Sequence, residues 1–442
     1  MATNTLKYYQ NLTLYEIYVR NHGPNGTFSD VTADLERIKE LGVDVIWLMP
    51  IHPIGEENKK GELGCPYSIR DYREVNPEYG TRKDFKKLIN TAHSLNLKVM
   101  IDVVFNHTAH DSVLALSHPE WFVRDENNNP VSTVSDWSDV VDFKFPNPLL
   151  EDYLIDTLTM WVKFGVDGFR CDVASLVPLK FWLQARKAIY LINSEIIWLA
   201  ESVDARWIPE RRESGYKINS DSELYSAFDI TYDYDIWAIW QAAVLGKVKT
   251  SNYLDILKFQ DSIYPQNFIK LRCVENHDRK RIMALSQSRS QAIAWTAFQA
   301  FNKGAFLIYA GQESAAQKIP SLFDVDKIEW GKYELQDFIK TLVLLKKDQA
   351  EVEGKFSLIN SESGIQATWI EKEGSLYGIF NTDNSNENIS VSLKDGSYEN
   401  LLSGDTILIK DGKTQMPDSA FIIRYLDSIV VEPFQSALFD IK

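Results

Sequence analysis

The sequence predicts an α/β fold: a (β/α)8 barrel with a short segment inserted after the third strand, followed by a C-terminal antiparallel β domain. Three observations predict it. Eight short apolar runs alternate with segments of helical spacing, polar residues gather at the ends of those runs, and from about Glu353 helical spacing gives way to short alternating stretches.

The runs are Leu12 to Arg20, Val43 to Pro50, Leu97 to His107, Val166 to Val173, Ile196 to Ser202, Leu224 to Tyr234, Phe268 to Asp278 and Ala305 to Glu313. Between them, Asp30 reads as the N-cap of a helix reaching Leu41, with Leu35, Ile38 and Leu41 on one face, and Asp84 to Leu95 is similarly spaced. Eight βα units close into a TIM-type barrel, whose active site lies at the carboxyl ends of its strands. The stretch after the third run carries HPEWF and DENNNP and is too long for an ordinary loop. SLYGIFNT, NISVSL, DTILIK and AFIIRYL, broken by DG and SG turns, read as strands of the last domain. The expected boundaries are 1–107 and 146–352 for the barrel, 108–145 for the inserted subdomain and 353–442 for the C-terminal domain.

With 442 residues, 45% of them hydrophobic, the chain is long enough for a barrel and a smaller domain. A net charge of −15 without a basic stripe argues against nucleic acid and anionic membrane surfaces as partners. The three cysteines, Cys65, Cys171 and Cys273, are far apart and form no CxxC pair, which speaks against zinc or a disulfide framework. The N-terminal MATNTLKYYQ has no basic start followed by an apolar stretch, and no apolar run reaches the roughly 18 residues of a membrane span, so a cytoplasmic address is expected.

Carboxylates end several strands. The third run closes on DVVFNH (Asp102 to His107), the fourth contains GFRCD (Gly168 to Asp172), the fifth ends LAES (Leu199 to Ser202) and the seventh ends VENHD (Val274 to Asp278). Strand alternation puts Arg170 on the same side as Asp172, where a guanidinium would hold the carboxylate ionised and oriented as a nucleophile. Glu201 follows the apolar IIWLA, whose low-dielectric surroundings would raise its pKa and keep a proton available for a leaving oxygen. Two carboxyl groups on neighbouring strands suit double-displacement glycoside hydrolysis, and Asp278 would bind ring hydroxyls as the sugar flattens. Asp102, well before its strand end, reads as structural. His107 and His277 each follow an Asn at a strand end and read as donors to sugar hydroxyls.

DVVFNH, GFRCD, the Glu of LAES and NHD, in this order, resemble the four conserved regions of the α-amylase family of glycoside hydrolases. The likeness extends to YEIYVRNH, VDVIWLMPIHPIG, PYSIRDYREVNPEYGT, YAGQE and PSLF, and so covers essentially the whole chain. The resemblance implies the barrel, an insertion after the third strand, a C-terminal β sandwich, and retaining action on α-glucans such as maltooligosaccharides. By motif, Asp172 becomes the nucleophile, Glu201 the acid/base and Asp278 the transition-state stabiliser. Arg170 orients Asp172, His107 and His277 bind the sugar at the cleavage site, and Tyr67 stacks on it. Trp121 and Trp137 serve either as sugar platforms or as packing for the insert.

The chain also departs from the family. Typical members carry a Lys and a His soon after the nucleophile, where this sequence reads DVASLVP. Asn106 and Asp142 match family calcium positions, yet the insert is short in oxygen ligands and Lys144 offers a cation instead, so no cofactor is required and calcium is an open expectation. Two other readings share the motifs: an α-glucan transglycosylase or glucoside isomerase using the same glycosyl-enzyme, and a catalytically silent glucan-binding protein.

Overall fold

Strand runs that are buried on both faces carry unbroken apolar sequence, and this is how the eight barrel strands appear. In a computed structural model they are β1 (Thr13–Ile17), β2 (Val45–Leu48), β3 (Lys98–Val103), β4 (Gly168–Cys171), β5 (Ile197–Ala200), β6 (Ile230–Tyr232), β7 (Lys270–Arg272) and β8 (Ala305–Tyr309). Each pairs in parallel with its sequence neighbours and β8 closes on β1, giving a closed eight-stranded barrel. Every one lies inside a run expected from the sequence. The structure describes residues 4–348, 354–371, 374–426 and 434, and the boundary expected at 352/353 falls outside them.

Two expected helices begin earlier than Asp30 and Asp84. Phe28–Glu40 is capped by Thr27 and Arg82–Ser94 by Thr81, with each Asp at the third helical position returning a hydrogen bond to its cap. The reciprocal capping box satisfies two orphan amide donors at once, which an Asp at the cap alone would not.

After β3, His107–Ala109 pairs antiparallel with Val140–Asp142, and the chain between them carries the helix Val113–Ser117. This ribbon stands over the carboxyl ends of β3 and β4. Trp121 is buried there, stacked 4.0 Å from the ring of His118, and so packs rather than faces the barrel mouth.

A four-stranded antiparallel sheet follows the barrel, ordered Lys355–Ile359, Ile365–Glu371, Gly374–Phe380 and Ala420–Tyr425. Alternation sorts its two faces. Leu376 and Phe380 pack toward the barrel helix Arg289–Phe301, whereas Tyr377 and Ile379 meet Ile389, Ile409 and Met416 from two short strand pairs, forming a second layer. Among the described residues no helix is long and apolar enough to cross a membrane.

Candidate active site

Strand register brings the carboxylates together. Asp102 on β3 lies opposite Arg170 on β4, and the Glu201 amide donates to the Cys171 carbonyl, so Asp172 and Glu201 leave adjacent strands side by side. Arg170 is wholly buried between them. Its Nη1 donates to Asp102 Oδ1 at 2.9 Å and to Asp172 Oδ1 at 2.9 Å, and its Nη2 lies 2.8 Å from Glu201 Oε1 as an ion pair off the hydrogen-bond direction. One guanidinium thus serves three carboxyl groups.

Burial outweighs that single cation. It pushes Asp172 up to about 7 and Glu201 up to about 7, each also raised by its carboxylate neighbours, and Asp102 up to about 6. The expected orientation of Asp172 by Arg170 is present, but the ligand-free nucleophile candidate is not held low. Near neutral pH Asp172 and Glu201 titrate as a pair that retains protons well above the usual carboxylate range.

Val173, directly after Asp172, has φ +34°, a left-handed value that a β-branched residue rarely adopts. The turn aims its amide at Glu201 Oε2, 2.8 Å away, tying the two carboxyl-bearing segments together.

The mouth above them is a cleft of about 510 Å³ whose lining includes Tyr67, His107, Trp137, Asp172, Glu201, His277 and Asp278. Larger hollows of about 640 Å³ lie on the helix surface near Lys86 and beside Thr382, away from these carboxylates. The hydroxyl of Tyr67 donates to Asp102 Oδ2 at 3.1 Å and lies 2.8 Å from His277 Nε2, which fixes its ring at the cleft wall. His107 Nε2 is 3.9 Å from Asp172 Oδ2, and burial keeps its ring below the usual imidazole range. Trp137 sits 5.1 Å from the His107 ring, and the Asp278 side chain is 40% exposed to the cleft.

Asn106 and Asp142 meet at the base of the ribbon. Asp142 Oδ2 accepts from the Thr133 amide and hydroxyl, both at 2.7 Å, while Oδ1 is buried without a hydrogen-bond partner. Lys144 is exposed, and it is Arg211 that reaches Thr133, donating to its carbonyl at 3.1 Å and its hydroxyl at 3.0 Å. Asn106 and Asp142 supply side-chain oxygens of the kind calcium takes, the rest of whose six to eight ligands would have to be backbone carbonyls and waters, and among the described residues no group of three or more His, Cys, Asp or Glu is placed to hold a metal.

Sequence reasoning missed Glu16, Asp204, Trp207 and Arg279. The last three line the cleft beside Glu201 and Asp278, Asp204 and Arg279 on loops that follow strand ends and Trp207 at the start of the helix Trp207–Glu213, and position after a strand end was the available signal. Glu16 is the one charge within β1, Thr13–Ile17, but its partner His277 lies far along the chain and the run alone gave it no role.

Comparison with known proteins gives the family of the chain. Residues 11–350 match the alpha amylase catalytic domain, and residues 359–423 match the bacterial alpha amylase C-terminal domain. An α-amylase structure from Lactobacillus plantarum superposes with a TM-score of 0.92 at 42% identity, covering 95% of this chain and 100% of that one. A noncanonic maltogenic α-amylase, AmyB from Thermotoga neapolitana, gives 0.85 at 35% identity, over 96% and 100% of the two chains. Alpha-amylase MalA of Haloarcula japonica is 28% identical over 365 residues, 79% of this chain, and the match spans only 50% of that relative's length. The chain belongs to the α-amylase family of glycoside hydrolases.

Proposed function

We propose that the protein hydrolyses α-1,4-glucosidic bonds in maltooligosaccharides or related α-glucans with retention of configuration. The observation that carries this reading is the position of Arg170, 2.9 Å from Asp172 and 2.8 Å from Glu201, beneath a cleft large enough to admit sugar rings. Asp172 attacks the anomeric carbon while Glu201 gives its proton to the departing glycosidic oxygen. Glu201 then takes a proton from the water that cleaves the glycosyl–Asp172 bond. Asp278 accepts from ring hydroxyls, most strongly as the sugar flattens toward the oxocarbenium shape. Tyr67, His107 and His277 hold that sugar, and Trp137 offers it a further aromatic face. Three unpaired cysteines suit a reducing compartment, so we place the activity in the cytoplasm on internal glucans.

A time course of products from maltoheptaose, with and without a chelator, tests the reading. Only shorter chains are expected, at the same rate in both arms. Chains longer than the substrate would favour glucan transfer, loss of rate with the chelator would show that a divalent cation is needed, with Asn106 and Asp142 its candidate ligands, and no products at all would favour the silent binder.

The pH profile follows from Glu201, which must be protonated to act as an acid. Its rise to about 7 puts the alkaline limb of kcat/KM near that pH, while Asp172, also raised to about 7 and needed ionised to attack, sets the acid limb, so the profile is a bell centred near neutrality. With an aryl α-glucoside whose leaving group needs no proton, Glu201→Gln is expected to lose the alkaline limb. A limb that persists unchanged assigns the titration to another group.

A further inference from the structure

Glu16 is a carboxylate with no place in the chemistry so far. It lies on β1, fully buried in the barrel, level with Trp47 on β2 and Tyr309 on β8. Its Oε1 forms a short contact with His277 Nδ1, and its Oε2 is buried without a hydrogen-bond partner. An ionised carboxylate offers only acceptors, so the proton of this contact belongs to Nδ1.

The other ring nitrogen faces acceptors as well. The Tyr67 hydroxyl has one proton, and with that proton on the Asp102 carboxylate at 3.1 Å the 2.8 Å contact between Tyr67 and His277 takes Nε2 as its donor. Asp278 Oδ2, a second acceptor, stands 3.3 Å from Nε2. With the Tyr67 proton on Asp102, both nitrogens carry hydrogen.

We propose that Glu16 is a positioning residue that keeps His277 an imidazolium at working pH, so that Nε2 is always a donor, its one hydrogen resting on the Tyr67 hydroxyl in the ligand-free cleft and passing to a sugar oxygen when one binds. Glu16 on β1, Asp278 beside the ring and Asp102 on β3 favour the cation, Arg170 on β4 opposes it, Tyr67 supplies a lone pair, and Trp47 on β2 presents an uncharged ring. The balance lifts His277 to about 9 despite its burial.

For the proposed function, on which this inference rests for its substrate, the consequence is a hydroxyl whose orientation is set in advance. A sugar oxygen must turn a lone pair to His277 and its own proton to Asp278. A neutral imidazole bonded to Glu16 through Nδ1–H would present a lone pair to the same hydroxyl and compete with Asp278 for its proton.

Histidine-labelled protein followed by NMR from pH 5 to 10 tests this without any substrate, with the His277 signal assigned by its loss in His277→Asn. The parent is expected to show a charged His277 ring at pH 8, Glu16→Gln a neutral one, and Glu16→Asp, which keeps the charge, a charged one. On maltoheptaose, kcat/KM of Glu16→Gln should fall about ten- to a hundredfold, the worth of one charge-assisted hydrogen bond, and largely recover in Glu16→Asp. A neutral His277 in the parent at pH 8 overturns the inference, as does a titration indifferent to Glu16→Gln or an unchanged kcat/KM in that variant. Should the parent fail to turn over maltoheptaose, the NMR arm still decides the protonation of His277, so the two readings fail separately.

Discussion

Asp172→Asn is expected to lower kcat on maltoheptaose by about 10⁴- to 10⁶-fold, the scale on which removal of a covalent nucleophile acts in other enzymes. The amide keeps the shape of the carboxyl and can still accept from Arg170, but it cannot form the glycosyl ester. Stability should move in the other direction. Asp172 titrates above its unfolded value, so its contribution to stability is fully present below about pH 4 and lost as pH rises through about 7. The Asn variant carries no such loss. Its unfolding midpoint should equal the parent's at pH 4 and exceed it at pH 8. A kcat within a hundredfold of the parent would remove Asp172 from the role of nucleophile.

Arg170→Met is expected to produce the largest stability loss, about 3–5 kcal/mol at pH 7.5, because it leaves buried carboxylates without their cation. Asp102, Asp172 and Glu201 all depend on this guanidinium, and none is more than 9% exposed. All three already titrate upward from burial, and without Arg170 they would rise further. Below pH 4 the groups are neutral with or without the arginine, so the deficit should shrink there and widen as pH rises through 6 to 7. Urea unfolding at pH 4 and 7.5 measures it. An equal deficit at both values would mean that Arg170 acts through packing, by its stacking against Trp47, Tyr67 and Tyr232, rather than through charge.

The barrel was legible because parallel strands shielded on both faces write unbroken apolar runs into the sequence. β1 to β8 each fell inside such a run. Helix starts were less legible. Thr27 and Thr81 cap through hydroxyls that look like any loop threonine, whereas Asp30 and Asp84 look like caps and serve three positions later. In the C-terminal domain Lys355–Ile359 and the largely buried Ile365–Glu371 were not among the segments named, nor were Gly396–Glu399 and Lys413–Gln415, two short exposed strands that need little apolar sequence.

At the site, motif order identified which carboxylates meet, and strand alternation identified Arg170 as their partner. Sequence could not rank desolvation against that partner. The depth of Asp172 beneath the mouth is a property of the closed barrel, and it decides the protonation that the Arg170 spacing alone appeared to fix. Glu16 escaped for a related reason: its meaning lies in His277, 261 positions away along the chain.

The charge of Asp172 is among the influences that raise Glu201. In the proposed cycle, that charge disappears when Asp172 becomes an ester, and it returns when the ester is cleaved. Glu201 therefore becomes more acidic during the interval in which it must act as a base, and regains its affinity for a proton once the nucleophile is free. The two side chains keep time for each other. No loop has to move to switch Glu201 between its two duties, because the covalent bond itself is the signal.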